Sequence, residues 1–131
     1  MRFLIIEDQP DVSRLLATLL KPHGECTIVA DGKAGVAAVL EALNAGQRFH
    51  ALFLDIMMPA MNGHEVLEEI RNLEETRKIY PPEALKIIMT TAMDDRENVM
   101  KAFRNQADAY LVKPILQKSL LEAMAKAGLE L

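Results

Sequence analysis

The chain has 131 residues, half of them hydrophobic and 26% charged, with a net charge of −4; this suits one folded soluble domain with a substantial core and not a disordered segment. The mild acidic excess argues against nucleic acid as the main partner, which is met by basic clusters, and the one cysteine, Cys26, leaves neither a disulfide framework nor a thiolate metal site. No apolar run approaches a membrane span and the first residues are too short for a signal peptide, so no membrane association is expected and the expected compartment is the cytoplasm.

Phe3 to Ile6 reads as a buried strand ending in Glu7 and Asp8. Pro10 suits the first turn of a helix, and Val12, Leu15, Leu16, Leu19 and Leu20 follow at helical spacing as one apolar face. His23-Gly24 ends that helix; Cys26 to Ala30 is a second strand, and Asp31-Gly32 turns the chain. A second helix from about Lys33 to Asn44 puts Val36, Leu40 and Leu43 inward and stops at Gly46. The third strand, Ala51 to Asp55, is an apolar run closed by one carboxylate. Asn62 and Glu65 form a capping-box pattern for a third helix, whose inner face is Val66, Leu67, Ile70 and Leu73. The polar, proline-broken stretch from Glu74 to Glu83 reads as a long loop. Ala84 to Met89 is a fourth strand ending in Thr90-Thr91-Ala92. Asp94 and Glu97 repeat the capping box, and the fourth helix turns Val99 and Phe103 inward. Ala109 to Val112 is a fifth strand, and a last helix starts at Lys113-Pro114 with Leu116, Leu120 and Met124 inward.

Strands alternating with helices in this way predict right-handed βαβ units: an α/β fold with a doubly wound, five-stranded parallel sheet and five helices, filling residues 1–131 as one domain. In such a sheet all carboxyl ends lie on one edge, where ligands bind at the switch point. With strand order 2-1-3-4-5, Glu7, Asp8 and Asp55 converge there, beside Thr91 and Lys113. Clustered carboxylates raise one another's pKa, and a divalent cation relieves the repulsion. Hard oxygen ligands favour Mg²⁺ over zinc. Such a site can offer a phosphate to Asp55 as nucleophile, with Lys113 neutralising a phosphoryl oxygen and the Thr91 hydroxyl donating to it. The histidines His23, His50 and His64 have no metal-site spacing and read as surface residues. Met58 and Met61 read as gap-filling core.

The acid pair Glu7-Asp8, Asp55 in L-D-I-M-M-P, Thr91-Ala92 and Lys113-Pro114 together resemble the CheY-like receiver domain of two-component response regulators, over Phe3 to about Met124. The resemblance implies the flavodoxin-like 2-1-3-4-5 order, for which that protein is a standard example. It implies that Asp55 is the phosphoacceptor and that Asp8, Asp55 and the Met57 backbone carbonyl ligate Mg²⁺, with Glu7 acting through water. Thr91 and Lys113 would contact the phosphoryl group, and Tyr110 would be the switch aromatic that moves with Thr91. Met57 and Met93 would flank the path of the hydrolytic water. Glu7 stands where aspartate is commonest, Gln106 where many members have glycine, and the 74–83 stretch is longer than usual.

The expected function is that of a stand-alone phosphorelay receiver. A sensor histidine kinase or phosphotransfer protein supplies the phosphoryl group, and a downstream protein is contacted through helix four, strand five and helix five. With only Lys118 and Lys126 as bases in the last helix, a monomer or weak dimer is expected. The protein is expected to act on its own phosphorylation and dephosphorylation and not otherwise as an enzyme. Two other classes compete. An aspartate-nucleophile phosphatase needs a second aspartate two residues after the nucleophile, where Met57 stands. A flavodoxin-like FMN carrier needs a hydroxyl- and glycine-rich loop after strand one, where Glu7-Asp8-Gln9-Pro10 is acidic.

Overall fold

The three central strands of the fold alternate their side chains between two cores. In the computed structural model, which describes residues 1–92, 96–104 and 106–130 and leaves aside the side chains of residues 96 and 103, Leu4 and Ile6 face one side of the sheet, Phe3 and Ile5 the other. The elements are β1 (Arg2–Ile6), α1 (Pro10–Leu20), β2 (Glu25–Val29), α2 (Gly32–Asn44), β3 (Ala51–Asp55), α3 (Gly63–Thr76), β4 (Lys86–Thr91), α4 (Arg96–Arg104), β5 (Ala109–Val112) and α5 (Gln117–Lys126). All strand pairs are parallel, in the order β2-β1-β3-β4-β5. Leu4, Ile6, Leu52, Leu54, Ile87 and Met89 pack under α2, α3 and α4. Phe3, Ile5, Phe53, Ile88 and Leu111 pack under α1 and α5. The sheet is covered on both faces, which is why β1, β3 and β4 are continuous apolar runs.

Local chemistry sets the helix starts. Pro10 opens α1. Asp31 Oδ1 accepts the Ala34 N–H at 2.8 Å to cap α2. The expected capping box of α3 is present, with Asn62 and Glu65 exchanging side-chain to backbone bonds. Gly63 is required here by close approach: a Cβ would lie 2.5 Å from the Asp55 carbonyl oxygen. The N-terminus of α3 is thereby seated against the end of β3.

Several expectations are corrected. Leu15 and Leu40 are 42% and 37% exposed; the buried apolar side chains are Leu16 and Leu20 on α1 and Val39 and Ala42 on α2. A broad apolar stripe places only its centre in the core. Leu116 is 61% exposed, because α5 begins at Gln117 and Leu116 is its N-cap, not a core position. The polar stretch after Leu73 is not all loop: α3 continues to Thr76, held by a buried Glu74. His64 is 6% exposed and not a surface residue. Asp94 and the Phe103 side chain lie outside what is described.

Gln106 takes the left-handed conformation with φ +74. A side chain there costs about 1 kcal/mol relative to glycine, partly offset by glycine's freedom in the unfolded chain. Gln106→Gly is expected to raise stability by roughly 0.5–1 kcal/mol and the melting temperature by about 2–5 °C. A thermal melt checks this; an unchanged or lower midpoint means the Gln106 side chain contributes packing that offsets its strain.

Candidate functional site

Parallel pairing brings the carboxyl ends of β1, β3, β4 and β5 to one edge. Ile6 pairs with Leu54, Asp55 with Thr90, and Thr91 with Val112. Two further backbone bonds hold the edge in register: Ile56 N–H to the Thr90 carbonyl at 3.1 Å and Lys113 N–H to the Thr91 carbonyl at 2.8 Å. Glu7 N–H extends β1 by bonding the Val29 carbonyl at 3.1 Å. β1 and β3 are neighbours although β2 intervenes in sequence, so the acids following them meet at the switch point.

Glu7, Asp8 and Asp55 each bring an oxygen within 4.8 Å of the others. Glu7 and Asp55 are buried, at 3% and 5% exposure, while Asp8 faces solvent. Lys113 Nζ lies 3.0 Å from Glu7 Oε1 and 3.6 Å from Asp55 Oδ1. Asp55 Oδ1 accepts the Met57 N–H at 3.2 Å, and Glu7 Oε2 accepts the Gln9 N–H at 3.2 Å. Among the described residues, the buried Glu7 Oε1 has no aligned hydrogen-bond donor beyond its ion pair with Lys113. This set of hard oxygens around an incompletely satisfied carboxylate fits a divalent cation of the Mg²⁺ type.

Thr91 is buried, and its hydroxyl donates to the Ala92 carbonyl at 3.3 Å. Tyr110, on β5 opposite Met89, is 44% exposed. Met57 is 66% exposed beside Asp55. Met93 lies outside the described residues. The sequence thus led to Glu7, Asp8, Asp55, Thr91 and Lys113, which the structure gathers at one edge. It missed His64, whose buried imidazole Nε2–H donates to Asn98 Oδ1 at 3.0 Å. The signal was present, since His64 stands three residues before Leu67 on the buried stripe of α3.

Burial pushes the Glu7 carboxyl up to about 7, reinforced by the negative charge of Asp55 and opposed by Lys113 and the Gln9 N–H. The folded state therefore holds a proton that the unfolded state has released above about pH 4.5. Stability from this group is complete below that value and is lost as pH rises through about 7. Metal-free protein is expected to lose about 2–3 kcal/mol between pH 5 and pH 8 on this account. Burial lowers the pKa of His50, which tilts stability the opposite way. Urea unfolding in EDTA should therefore be compared with Glu7→Gln, which keeps His50 but should lose the Glu7 slope. Equal pH dependence in the two proteins would assign the effect elsewhere.

The sequence pattern of the family described as response regulator receiver domain matches residues 3–125. The regulatory protein VanRB of Enterococcus faecalis is 32% identical over 93% of this chain and 50% of its own length. The chain spans about half the length of the curated relatives it matches. A CheY-like receiver domain structure from Methanospirillum hungatei superposes with a TM-score of 0.74 at 28% identity, covering 95% of this chain and 90% of that one. The receiver domain of a sensor histidine kinase from Pseudomonas aeruginosa superposes at 0.76 with 25% identity, over 98% of both chains, and holds a magnesium ion in its active-site cleft. Among the described residues, no helix is long and apolar enough to cross a membrane.

Proposed function

The chain belongs to the response regulator receiver domain family, and from that premise we propose that it accepts a phosphoryl group on Asp55 and switches shape to regulate a partner protein. Receiver domains are signalling switches and are not generally classed as enzymes. The observation that supports the reading best is the meeting of Glu7, Asp8, Asp55 and Lys113 at the switch point of the sheet. Asp8, Asp55 and the Met57 carbonyl would hold Mg²⁺, with Glu7 acting through water. Bound there, the ion supplies positive charge for phosphoryl oxygens that the acids would otherwise repel.

The remaining work falls to the chain. Asp55 is held by the Met57 N–H with one oxygen engaged. A carboxylate oxygen attacks phosphorus, the P–O bond forms, the P–N bond of a donor phosphohistidine breaks, and the departing imidazole takes up a proton. Lys113 pairs with Glu7 and Asp55 before transfer and grips a phosphoryl oxygen afterwards. Thr91 turns its hydroxyl from Ala92 toward the new group, and Tyr110 follows. The donor is a sensor histidine kinase or a phosphotransfer protein, and the response is read from the α4, β5 and α5 face. Incubation with acetyl phosphate and Mg²⁺ should add one phosphoryl group by intact mass, and EDTA should prevent it. A protein that gains no mass under these conditions is not a receiver of this kind.

Met57 also bears on how long the phosphoryl group stays. Its thioether, beside Asp55, is a weak acceptor and no useful donor, so it orients no hydrolytic water. Met57→Asn supplies a water contact worth about 1–3 kcal/mol and is expected to speed the decay of phosphorylated protein roughly tenfold to a hundredfold. Loss of the added mass over time measures it; equal lifetimes would leave Met57 no role in gating water.

A further inference from the structure

The N-terminus of α3 is a fixed post. Gly63 N–H donates to the Ile56 carbonyl at 2.9 Å, and the space where a Cβ would sit is filled by the backbone at Asp55 and Ile56. The Asn62–Glu65 capping box locks the same turn. His64 projects from this post into the protein and is 6% exposed. Its Nε2–H donates to Asn98 Oδ1 at 3.0 Å, while its Nδ1 is buried with no hydrogen-bond partner among the described residues.

Asn98 sits in the first turn of α4, whose described side chains are mostly exposed or half-buried. Among its described side chains only Ala102 is buried; Asn98 and Val99 are half-buried and Met100 is 63% exposed. α4 is the element that follows β4 in the chain, β4 ending at Thr91. The contact between the two helices is poised. Leaving the buried Nδ1 unsatisfied costs at least as much as one neutral side-chain hydrogen bond returns. Opening it would let water reach that nitrogen.

We propose that His64 and Asn98 form a latch that clamps α4 to α3 and opposes the phosphorylated arrangement of the site. The proposal rests on the reading of Asp55 as phosphoacceptor. Rotation of the Thr91 hydroxyl from Ala92 toward a group on Asp55 shifts the end of β4, the strand that α4 follows in the chain. α3 cannot follow, because Gly63 is wedged against β3. The movement is therefore taken up between α3 and α4, where the His64–Asn98 bond opens. The latch sets how much phosphoryl interaction is needed to switch the protein.

The test is a double-mutant cycle of His64→Phe and Asn98→Ala, with two readouts. Asn98→Ala places a good helix former at a half-buried site and keeps the test sound if His64→Phe folds poorly. In protein without a phosphoryl mimic, amide hydrogen exchange across α4 should quicken about three- to tenfold in each variant, with the β-strands unchanged. Beryllofluoride with Mg²⁺, a mimic of the phosphoryl group, should bind about five- to tenfold more tightly to each variant. The double variant should add little to either single one, as for two halves of one contact. Unchanged α4 exchange overturns the latch. Faster exchange with unchanged beryllofluoride affinity leaves the bond merely structural and overturns it equally. Wild-type protein that binds no beryllofluoride would instead sink the receiver reading, and the switching role with it.

Discussion

Asp55→Asn is expected to accept no phosphoryl group from acetyl phosphate and Mg²⁺, a loss of roughly a hundredfold or more in labelling rate, while folding at least as well as the wild type. An amide oxygen is a poor nucleophile, and an amide ligates a hard cation less well than a carboxylate. The local geometry should persist, since the amide oxygen can still accept the Met57 N–H that Asp55 Oδ1 now accepts at 3.2 Å. The charge balance improves: Asp55 raises the pKa of Glu7, and its removal leaves Lys113 paired to Glu7 alone. Metal-free stability should rise by about 1 kcal/mol, within the range of one relieved charge contact. Intact mass and a thermal melt read both effects. Stoichiometric labelling of the variant would move the nucleophile to another acid, Asp8 being the exposed candidate within the cluster.

The sheet was legible because its signals are redundant. Phe3–Ile6 and Ala51–Leu54 are apolar at every position, which only a strand covered on both faces tolerates. The acids follow those runs directly, so placing the strands also placed the site. The β3 to α3 turn was legible through Asn62 and Glu65, whose capping chemistry is local. Helix faces were less legible. On α1, five apolar residues cover more arc than the core can accept, and spacing alone did not choose between Leu15 and Leu16. Polar residues on a buried stripe were the hardest. His64, Leu67, Arg71 and Glu74 recur at three- and four-residue steps, the pattern of one helix face. Reading only the apolar members of that face hid His64, Arg71 and Glu74, whose partners Asn98, Asp108 and Leu85 come from distant segments. Long-range polar pairing leaves no mark in a local window.

Arg71→Ala is expected to cost about 3–5 kcal/mol of stability, the largest effect of any single substitution at the edge opposite the acids. The Arg71 side chain is 13% exposed, and its guanidinium closes three segments together. Its Nη1 donates to Glu74 Oε1 at 2.7 Å and to the Leu85 carbonyl at 2.8 Å. Its Nε and Nη2 both donate to the Gln106 carbonyl, at 3.0 and 2.8 Å, and Nη2 reaches Asp108 Oδ2 at 2.9 Å. Truncation leaves Glu74, 5% exposed, as a buried carboxylate held, among the described residues, by the Leu85 N–H at 2.6 Å. It also releases the strained turn at Gln106 and one partner of Asp108, which accepts the Ile87 N–H at 2.8 Å. Arg71→Lys should recover little, because one ammonium cannot span Glu74, Leu85, Gln106 and Asp108 as a planar fork does. Glu74→Gln should cost far less, since the amide oxygen still accepts from Leu85 and no buried charge is stranded. Urea denaturation of the four proteins gives the ranking. Because the network lies at the amino ends of β4 and β5, away from the acids, Arg71→Ala should still take up phosphoryl groups below its melting temperature. A loss under 1 kcal/mol would show that water or rearrangement satisfies Glu74 without the arginine.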